Sequence, residues 1–189
     1  MSVELLTEVV PQGFAGSRIG AKPPVELPSA ALTFPEIIRT WTRIRDLESL
    51  YAAISATIEA RFAVRNIAIF MYGSDVRVLH PVFEQGLGVR EMVFRDTADD
   101  PLLPRLLCNV PIRINDLLVP HRSVPGNGSS VGCHADTGFP LVLGERAVGL
   151  MMVGRKTDRC RLSPVETDVL MLLAAQAAVC IENCRLYEQ

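Results

Sequence analysis

A cysteine, a histidine and an aspartate stand close together in Cys133-His134-Ala135-Asp136. Thiolate, imidazole and carboxylate groups are the ligands by which proteins hold iron and zinc. Further groups of these types occur at His80, Cys108, Asp116 and His121. The positions have no fixed ligand spacing, so a loop of solvated polar side chains is the alternative. We therefore expect a ligand-binding region here, assign no metal, and leave the cofactor unknown.

Cysteine could also act as a nucleophile, which requires a base positioned beside it. Cys108, within LLCNV, is typical of a small buried hydrophobic residue. Cys180 and Cys184 are one helical turn apart and suggest a redox switch, although packing on an apolar stripe is the favoured interpretation. The segment 144–149 has the spacing of a phosphate-binding loop but lacks the following Lys-Ser/Thr. No catalytic residue is assigned, and we predict that the chain is not an enzyme.

Two apolar runs, residues 64–72 and 76–83, flank Gly73-Ser74-Asp75 and predict a β-hairpin. Pro81 indicates that the second strand is bulged or at an edge. In the first strand Ala68, Phe70 and Tyr72 alternate with three aliphatic residues, so the two sets face opposite ways. We expect the aliphatic set to pack on helices. The face with Phe70 and Tyr72, near Arg77 and His80, is expected to form the wall of a pocket for a small anionic or aromatic effector.

The remaining chain alternates helical and extended patterns without internal repeats. Residues 1–34 are rich in proline and glycine and predict a loose arm or linker; residues 35–62 predict one or two N-terminal helices. A short helix is expected near 101–108, and strands at 110–114, 139–143 and 146–153. The order of elements predicts an α+β domain over residues 35–189, with an antiparallel sheet covered on one face by the terminal helices.

The C-terminal helix, expected over residues 163–189, begins at Ser163-Pro164-Val165-Glu166, which has the pattern of an N-cap, a proline at the first position and a capping box. Between residues 169 and 181 only Gln176 is polar, so most of the circumference should be buried. Its second half is expected to be a seam that pairs with another helix, lined by Leu170, Leu173, Ala177, Cys180, Cys184 and Tyr187. The apolar stretch is judged too short for a membrane span.

The chain has 189 residues, is 49% hydrophobic and carries a net charge of −2, which allows one sizeable core. Basic residues form no stripe for nucleic acid or membrane lipids, and the N-terminus lacks the pattern of a signal peptide. Five cysteines without a CxxC motif indicate reduced thiols. We therefore expect a cytoplasmic protein without direct nucleic-acid or membrane binding.

Several stretches resemble the GAF domain family. They are GFPLVLGERAVGLMMVG at 138–154, LSPVE at 162–166, LLAAQAAVCIENCRLYEQ at 172–189 and, more weakly, residues 46–75. Residues 99–102 with 114–117 loosely resemble GAF domains of sigma-54-dependent activators, and the chain is also similar to those of sensor kinases.

The resemblance implies a GAF-like antiparallel sheet of five or six strands, with N- and C-terminal helices on one face and a ligand pocket on the other. It implies a non-catalytic sensory domain of a bacterial signalling or transcription-regulatory protein, which dimerises through its terminal helices and passes ligand state to an output domain outside these residues. The expected ligand-binding residues are Phe70, Tyr72, His80, Cys108, Asp116, Cys133, His134 and Asp136.

Three alternatives arise within the same family. The first is a dimerisation scaffold with a vestigial pocket. The second is a thiol enzyme like the free methionine sulfoxide reductases, using Cys108 and Cys133. In the third, Cys133-His134 resembles the pair to which bilins attach in phytochrome-like GAF domains, but it lies too close to the following strand for the helix that those domains use. GAF domains with iron centres also exist, which gives the cluster at 133–136 its metal interpretation.

Overall fold

The computed structural model describes residues 33–73, 78–90, 92–96, 102–117 and 135–187. Nearly all of the expected arm at 1–34 lies outside these residues. So do Arg77, His121, Cys133 and His134.

Five helices and one six-stranded sheet make up the described chain. The helices are α1 Phe34–Arg43, α2 Leu47–Phe62, α3 Leu102–Leu107, α4 Ile114–Leu117 and α5 Pro164–Tyr187. The strands are β1 Ile67–Tyr72, β2 Val78–Gln85, β3 Phe94–Arg95, β4 Ile112–Arg113, β5 Ala135–Leu143 and β6 Arg146–Gly154. The spatial order is β3-β2-β1-β6-β5-β4, and each pairing is antiparallel. The predicted α+β class, the antiparallel sheet and its six-stranded form are confirmed.

Each face of the sheet has its own apolar core. The inner core lies between the sheet and α1, α2 and α5, and it contains Ile67, Ile69 and Met71 of β1. The outer core contains Ala68, Phe70 and Tyr72 of the same strand, together with residues of α3 and α4. The opposite orientation of the two sets in β1 is therefore as predicted. Its cause is the two-residue period of an extended chain.

The hairpin of β1 and β2 contains the irregularity that Pro81 predicts. Ile69 is opposite Phe83, whereas Phe70 is opposite Pro81, so Val82 is an extra residue between the two pairs. Such a β-bulge leaves one residue unpaired and bends the strand. Strand β3, which pairs with Val78 and Leu79 only, was not predicted because two residues are too few to show a period.

Helix α5 starts as predicted. The Ser163 N–H donates to a Glu166 carboxylate oxygen (2.8 Å), and the Glu166 N–H donates to Ser163 Oγ (3.3 Å). This reciprocal capping box gives acceptors to two backbone N–H groups that have no partner within the helix.

The burial of α5 differs in part from the prediction. One face packs in the inner core, including Cys180 and Cys184, so the expected free seam is filled by the chain's own helices. The other face is exposed at Val165 and Leu172, although within residues 169–181 every position except Leu172 is buried or half-buried, in line with the burial expected for that stretch. By length and composition alone, α5 is also long and apolar enough to cross a membrane. The length of its apolar stretch therefore does not exclude a membrane span. Core helices of globular proteins can have the same length and composition.

Gly149 of β6 lies against the backbone of β1. A Cβ atom there would stand 2.3 Å from the Phe70 carbonyl oxygen and 2.7 Å from Met71 Sδ. The Phe70 carbonyl belongs to a central strand and cannot move aside without disturbing the ladder. The two central strands therefore require glycine at this position.

We predict that Gly149→Ala lowers the free energy of unfolding by at least ~2 kcal/mol, because an overpacked core must shift backbone. The matched control is Gly73→Ala, where a Cβ would meet, among the described residues, only His80 Cδ2 at 3.8 Å, and its effect should stay within ~0.5 kcal/mol. Urea denaturation of the two variants measures both changes. Equal stability of the two variants would contradict the steric argument.

Candidate functional site

The outer core holds the two aromatic residues expected at the pocket wall. Phe70 and Tyr72 are both buried there. The Phe70 ring meets Phe94 of β3 edge-on, with ring centroids 5.1 Å apart, an arrangement that aromatic quadrupoles favour. Leu102 and Leu106 of α3 and Leu117 of α4 cover the same face. The described part of this face is therefore aromatic and aliphatic in character.

The other expected site residues are spread over the domain. His80 is opposite Met71 in the ladder, which places it on the inner side of the sheet, and it is exposed. Asp116 is exposed on α4, and its backbone carbonyl accepts a hydrogen bond from Arg105 Nη1 (3.0 Å). The structure thus brings Phe70 and Tyr72 together but separates them from His80.

Cys108 lies at the end of α3 and is exposed. Its interpretation as a small buried residue is therefore wrong. The helix ends here because Asn109 adopts a left-handed backbone conformation (φ 51°), which turns the chain away from the helix axis. Among the described residues, no histidine or carboxylate hydrogen bonds to the Cys108 sulfur.

Asp136 contacts arginines. Its Oδ1 lies 3.2 Å from Arg155 Nε and 3.7 Å from Arg161 Nε. Within the ranges that the structure describes, no three His, Cys, Asp or Glu side chains are grouped so as to hold a metal ion. Cys133 and His134, the remaining members of the predicted cluster, lie outside those ranges.

Three contacts that the sequence did not indicate hold the end of α5. Arg185 Nη2 donates to the Tyr72 carbonyl oxygen (3.3 Å), and Cys184 Sγ donates to the Ile44 carbonyl oxygen (3.2 Å). The Arg45 guanidinium lies 4.3 Å from the centroid of the Tyr187 ring, within cation–π range. The helix end is thus attached both to the last residue of β1 and to the α1–α2 junction.

The thiols of α5 are in a packing environment. Burial, with a smaller contribution from Cys184, raises the pKa of the Cys180 thiol to about 11. A thiol with so high a pKa is almost entirely protonated at neutral pH, and the thiolate is the reactive form. The arrangement therefore favours the packing interpretation of Cys180 and Cys184 over the redox switch.

A family model described as GAF domain matches residues 46–181. The chain therefore belongs to the GAF domain family, whose members are generally sensory, non-catalytic modules. A search of curated proteins finds no match.

Solved GAF domains share the fold. The GAF domain of a phosphoenolpyruvate-protein phosphotransferase from Coxiella burnetii is 15% identical, with a TM-score of 0.59 over 82% of this chain and 95% of that one. A GAF domain/HD domain protein from Geobacter sulfurreducens is 19% identical (TM-score 0.57; 76% and 97% covered). The cyanobacteriochrome TePixJ GAF domain is 13% identical (TM-score 0.55; 77% and 95% covered). At such identities the likeness establishes the fold alone.

We predict that native-state alkylation modifies Cys108 and Cys160, which are exposed, and spares Cys180 and Cys184, which are buried. The buried thiols should react only after unfolding, because burial blocks the reagent at both sites and the raised pKa of Cys180 also suppresses thiolate attack there. Peptide mass spectrometry after a short iodoacetamide pulse measures each site separately. Rapid native labelling of Cys180 would show that the end of α5 opens readily and would contradict its packing role.

Proposed function

We propose that this GAF domain senses a small molecule on the outer face of its sheet and does not catalyse a reaction. In this proposal it acts in the cytoplasm as a regulatory domain of a bacterial signalling or transcription-regulatory protein. Residues 1–34 serve as a linker, and α5 leads to an output domain outside this sequence. The observation that carries the proposal is the hydrogen bond between Arg185 and the Tyr72 carbonyl oxygen.

The outer face supports the first part of the proposal. The inner face is covered by three helices that include the longest in the domain. The outer face carries only the short helices α3 and α4 over its described part. Short elements with few mutual contacts open at low free-energy cost, so an effector would enter on this side. Phe70 and Phe94 offer it aromatic contacts, and Leu102 and Leu106 offer aliphatic ones, rather than charge.

The contact between β1 and α5 supports the second part. Tyr72 places its side chain in the outer core and its carbonyl oxygen against Arg185. A ligand that displaces Tyr72 would therefore change the position of a hydrogen-bond acceptor for the last turn of α5. Such a ligand shifts the position of the last turn of α5 only to the extent that it binds the domain more tightly in one position of that turn than in the other.

The effector test compares two conservative variants of β1 that face opposite ways. Native mass spectrometry of protein purified from its own host should show additional mass on the wild type. Ile69→Val, on the inner face, should keep that mass, and Phe70→Leu should lose it, since only Phe70 faces the proposed pocket. Loss from both variants, or retention by both, would contradict an outer-face site.

A scaffold is the second candidate, and it is favoured by the complete burial of Phe70, Phe94 and Leu102. An outer face filled by its own side chains would leave no room for an effector. In that case wild-type protein from its host would carry no additional mass. Cavity-forming Phe70→Leu would then destabilise the fold without altering any bound species.

We also propose that the domain forms a homodimer through the exposed stripe of α5, defined as Val165, Leu172, Val179 and Leu186. The exposed fractions are 72% at Val165, 59% at Leu172 and 63% at Leu186, and Val179 is half-buried. These positions repeat every seven residues, the spacing by which one helix packs along another. The stripe differs from the seam expected at Cys180 and Cys184, which the inner core already fills.

For the dimer we predict that Leu172→Glu raises the dissociation constant at least about tenfold, because a carboxylate within the exposed stripe of α5 would lose its hydration on dimerisation. Sedimentation velocity over a concentration series measures the effect. The control is Val110→Glu, which adds the same negative charge at an exposed apolar residue away from α5. Dimers unaffected by Leu172→Glu and Leu186→Glu would place the interface elsewhere.

A further inference from the structure

Two arginines converge on one carboxylate where the end of β6 meets the start of β5. Asp136 Oδ1 accepts a hydrogen bond from Arg155 Nε (3.2 Å) and forms an ion pair with Arg161 Nε at 3.7 Å. Thr137 Oγ1 contacts the other carboxylate oxygen, Oδ2, at 3.4 Å. The side chains of Arg155 and Arg161 remain 54% and 59% exposed, whereas that of Asp136 is 19% exposed. The carboxylate is thus partly buried beneath two guanidinium groups that face solvent.

The atoms used in these contacts leave donors available. Both arginines approach Asp136 through Nε, so their terminal NH₂ groups can donate to a further acceptor. A guanidinium presents five N–H donors in a planar fork that matches phosphate and carboxylate geometry. Because Asp136 restrains both forks, less side-chain entropy is lost when a ligand binds.

Positive charge exceeds negative charge in the surrounding surface. The loop after β6 is held against the α2–β1 junction by hydrogen bonds from Gly154 N to the Asn66 carbonyl oxygen (2.7 Å) and from Thr157 N to the Ala63 carbonyl oxygen (2.8 Å). That junction and the loop contribute the cations Arg65 and Arg159. Lys156 in the same loop is matched by Glu166 at 3.0 Å, and Asp158 is a further carboxylate of the loop. The region is therefore cationic in a chain whose net charge is −2.

We propose that Arg155 and Arg161 form a binding site for a phosphate-type oxyanion, either inorganic phosphate or a small phosphate monoester. Two guanidinium forks and one carboxylate leave an excess positive charge, which an oxyanion with several acceptor oxygens would neutralise. A metal cation would meet the repulsion of both guanidinium groups. Asp136, expected from the sequence to contact the ligand, is instead a positioning residue that holds the two arginines.

The site goes beyond the proposed function and does not depend on it. Its three side chains come from β5 and from the loop between β6 and α5, and none of them belongs to the outer core. Lys156 and Glu166 tie this loop to the first turn of α5. A bound oxyanion would therefore lie near the start of α5, at the opposite end of the helix from Arg185.

The test titrates wild-type protein with sodium phosphate in a chloride buffer of low ionic strength, because salt screens exposed charges. Isothermal titration calorimetry should detect binding, and the thermal unfolding midpoint should rise with phosphate concentration. The double variant Arg155→Gln, Arg161→Gln should weaken the affinity about tenfold or more. Arg155→Lys, which keeps the charge but loses the fork, should also weaken it.

Arg159→Gln is the matched control, because it removes one positive charge from the same loop and none of the contacts to Asp136. It should reduce the affinity less than Arg155→Lys does. A parallel titration with glycerol phosphate distinguishes the two candidate ligands. If glycerol phosphate binds more tightly than inorganic phosphate, the site is for a monoester. If it binds equally or more weakly, the site is for the free ion. The proposal is overturned if wild-type protein does not bind phosphate at about 10 mM. It is also overturned if Arg159→Gln lowers the phosphate affinity as much as the double variant does.

Discussion

The structure depends on β1, a strand whose six residues are all buried. It pairs with β2 on one side and β6 on the other, and its side chains enter both apolar cores in alternation. Because the backbone is hydrogen bonded along both edges, the strand can contribute hydrophobic burial on both faces without leaving polar groups unpaired. The close approach of Gly149 to Phe70 is part of the same constraint, since any larger residue would separate the two strands.

Helix α5 is attached to different parts of the domain at its two ends. At its start, the capping box and the Lys156–Glu166 pair attach it to the loop after β6. At its end, Arg185 attaches it to β1, while Cys184 and Tyr187 attach it to the α1–α2 junction. The helix is fixed on its inner side by apolar packing and at both ends by polar contacts. Its outward face keeps Val165, Leu172 and Leu186 in solvent, and the proposed homodimer rests on these side chains.

Much of the fold could be predicted from the sequence, because its signals are local. The hairpins, the capping box at Ser163, the short helix α3 and the alternation of β1 all follow from periods and caps within a few residues. Strand β3 has two residues, shows no period of its own and depends on β2 for its existence, whereas the equally short β4 lies within the strand predicted at 110–114. The exposed side of α5 could not be predicted, because composition does not reveal which side of an apolar helix lacks a partner.

The candidate site was harder to predict for a similar reason. Asp136 was expected to bind a ligand together with Cys133 and His134, whereas its partners Arg155 and Arg161 are brought to it by the antiparallel pairing of β5 with β6. His80 lies on the opposite side of the sheet from Phe70, and no pattern within β2 alone discloses this. Side-chain partners that depend on strand register are not visible until the register is known.

The bulge at Val82 has a consequence for how the chain tolerates changes in length. Because of the extra residue, Gln85 lies on the inner side, where it contacts Ser55 and Glu59, while Glu84 accepts hydrogen bonds from the Leu87 and Gly88 N–H groups. If β2 paired without the bulge, regular alternation from Pro81 would exchange these two positions and direct a carboxylate toward the buried side of α2. The bulge is therefore the point at which β2 could lose a residue, because deletion of Val82 would leave the pairs Phe70–Pro81 and Ile69–Phe83 in regular succession.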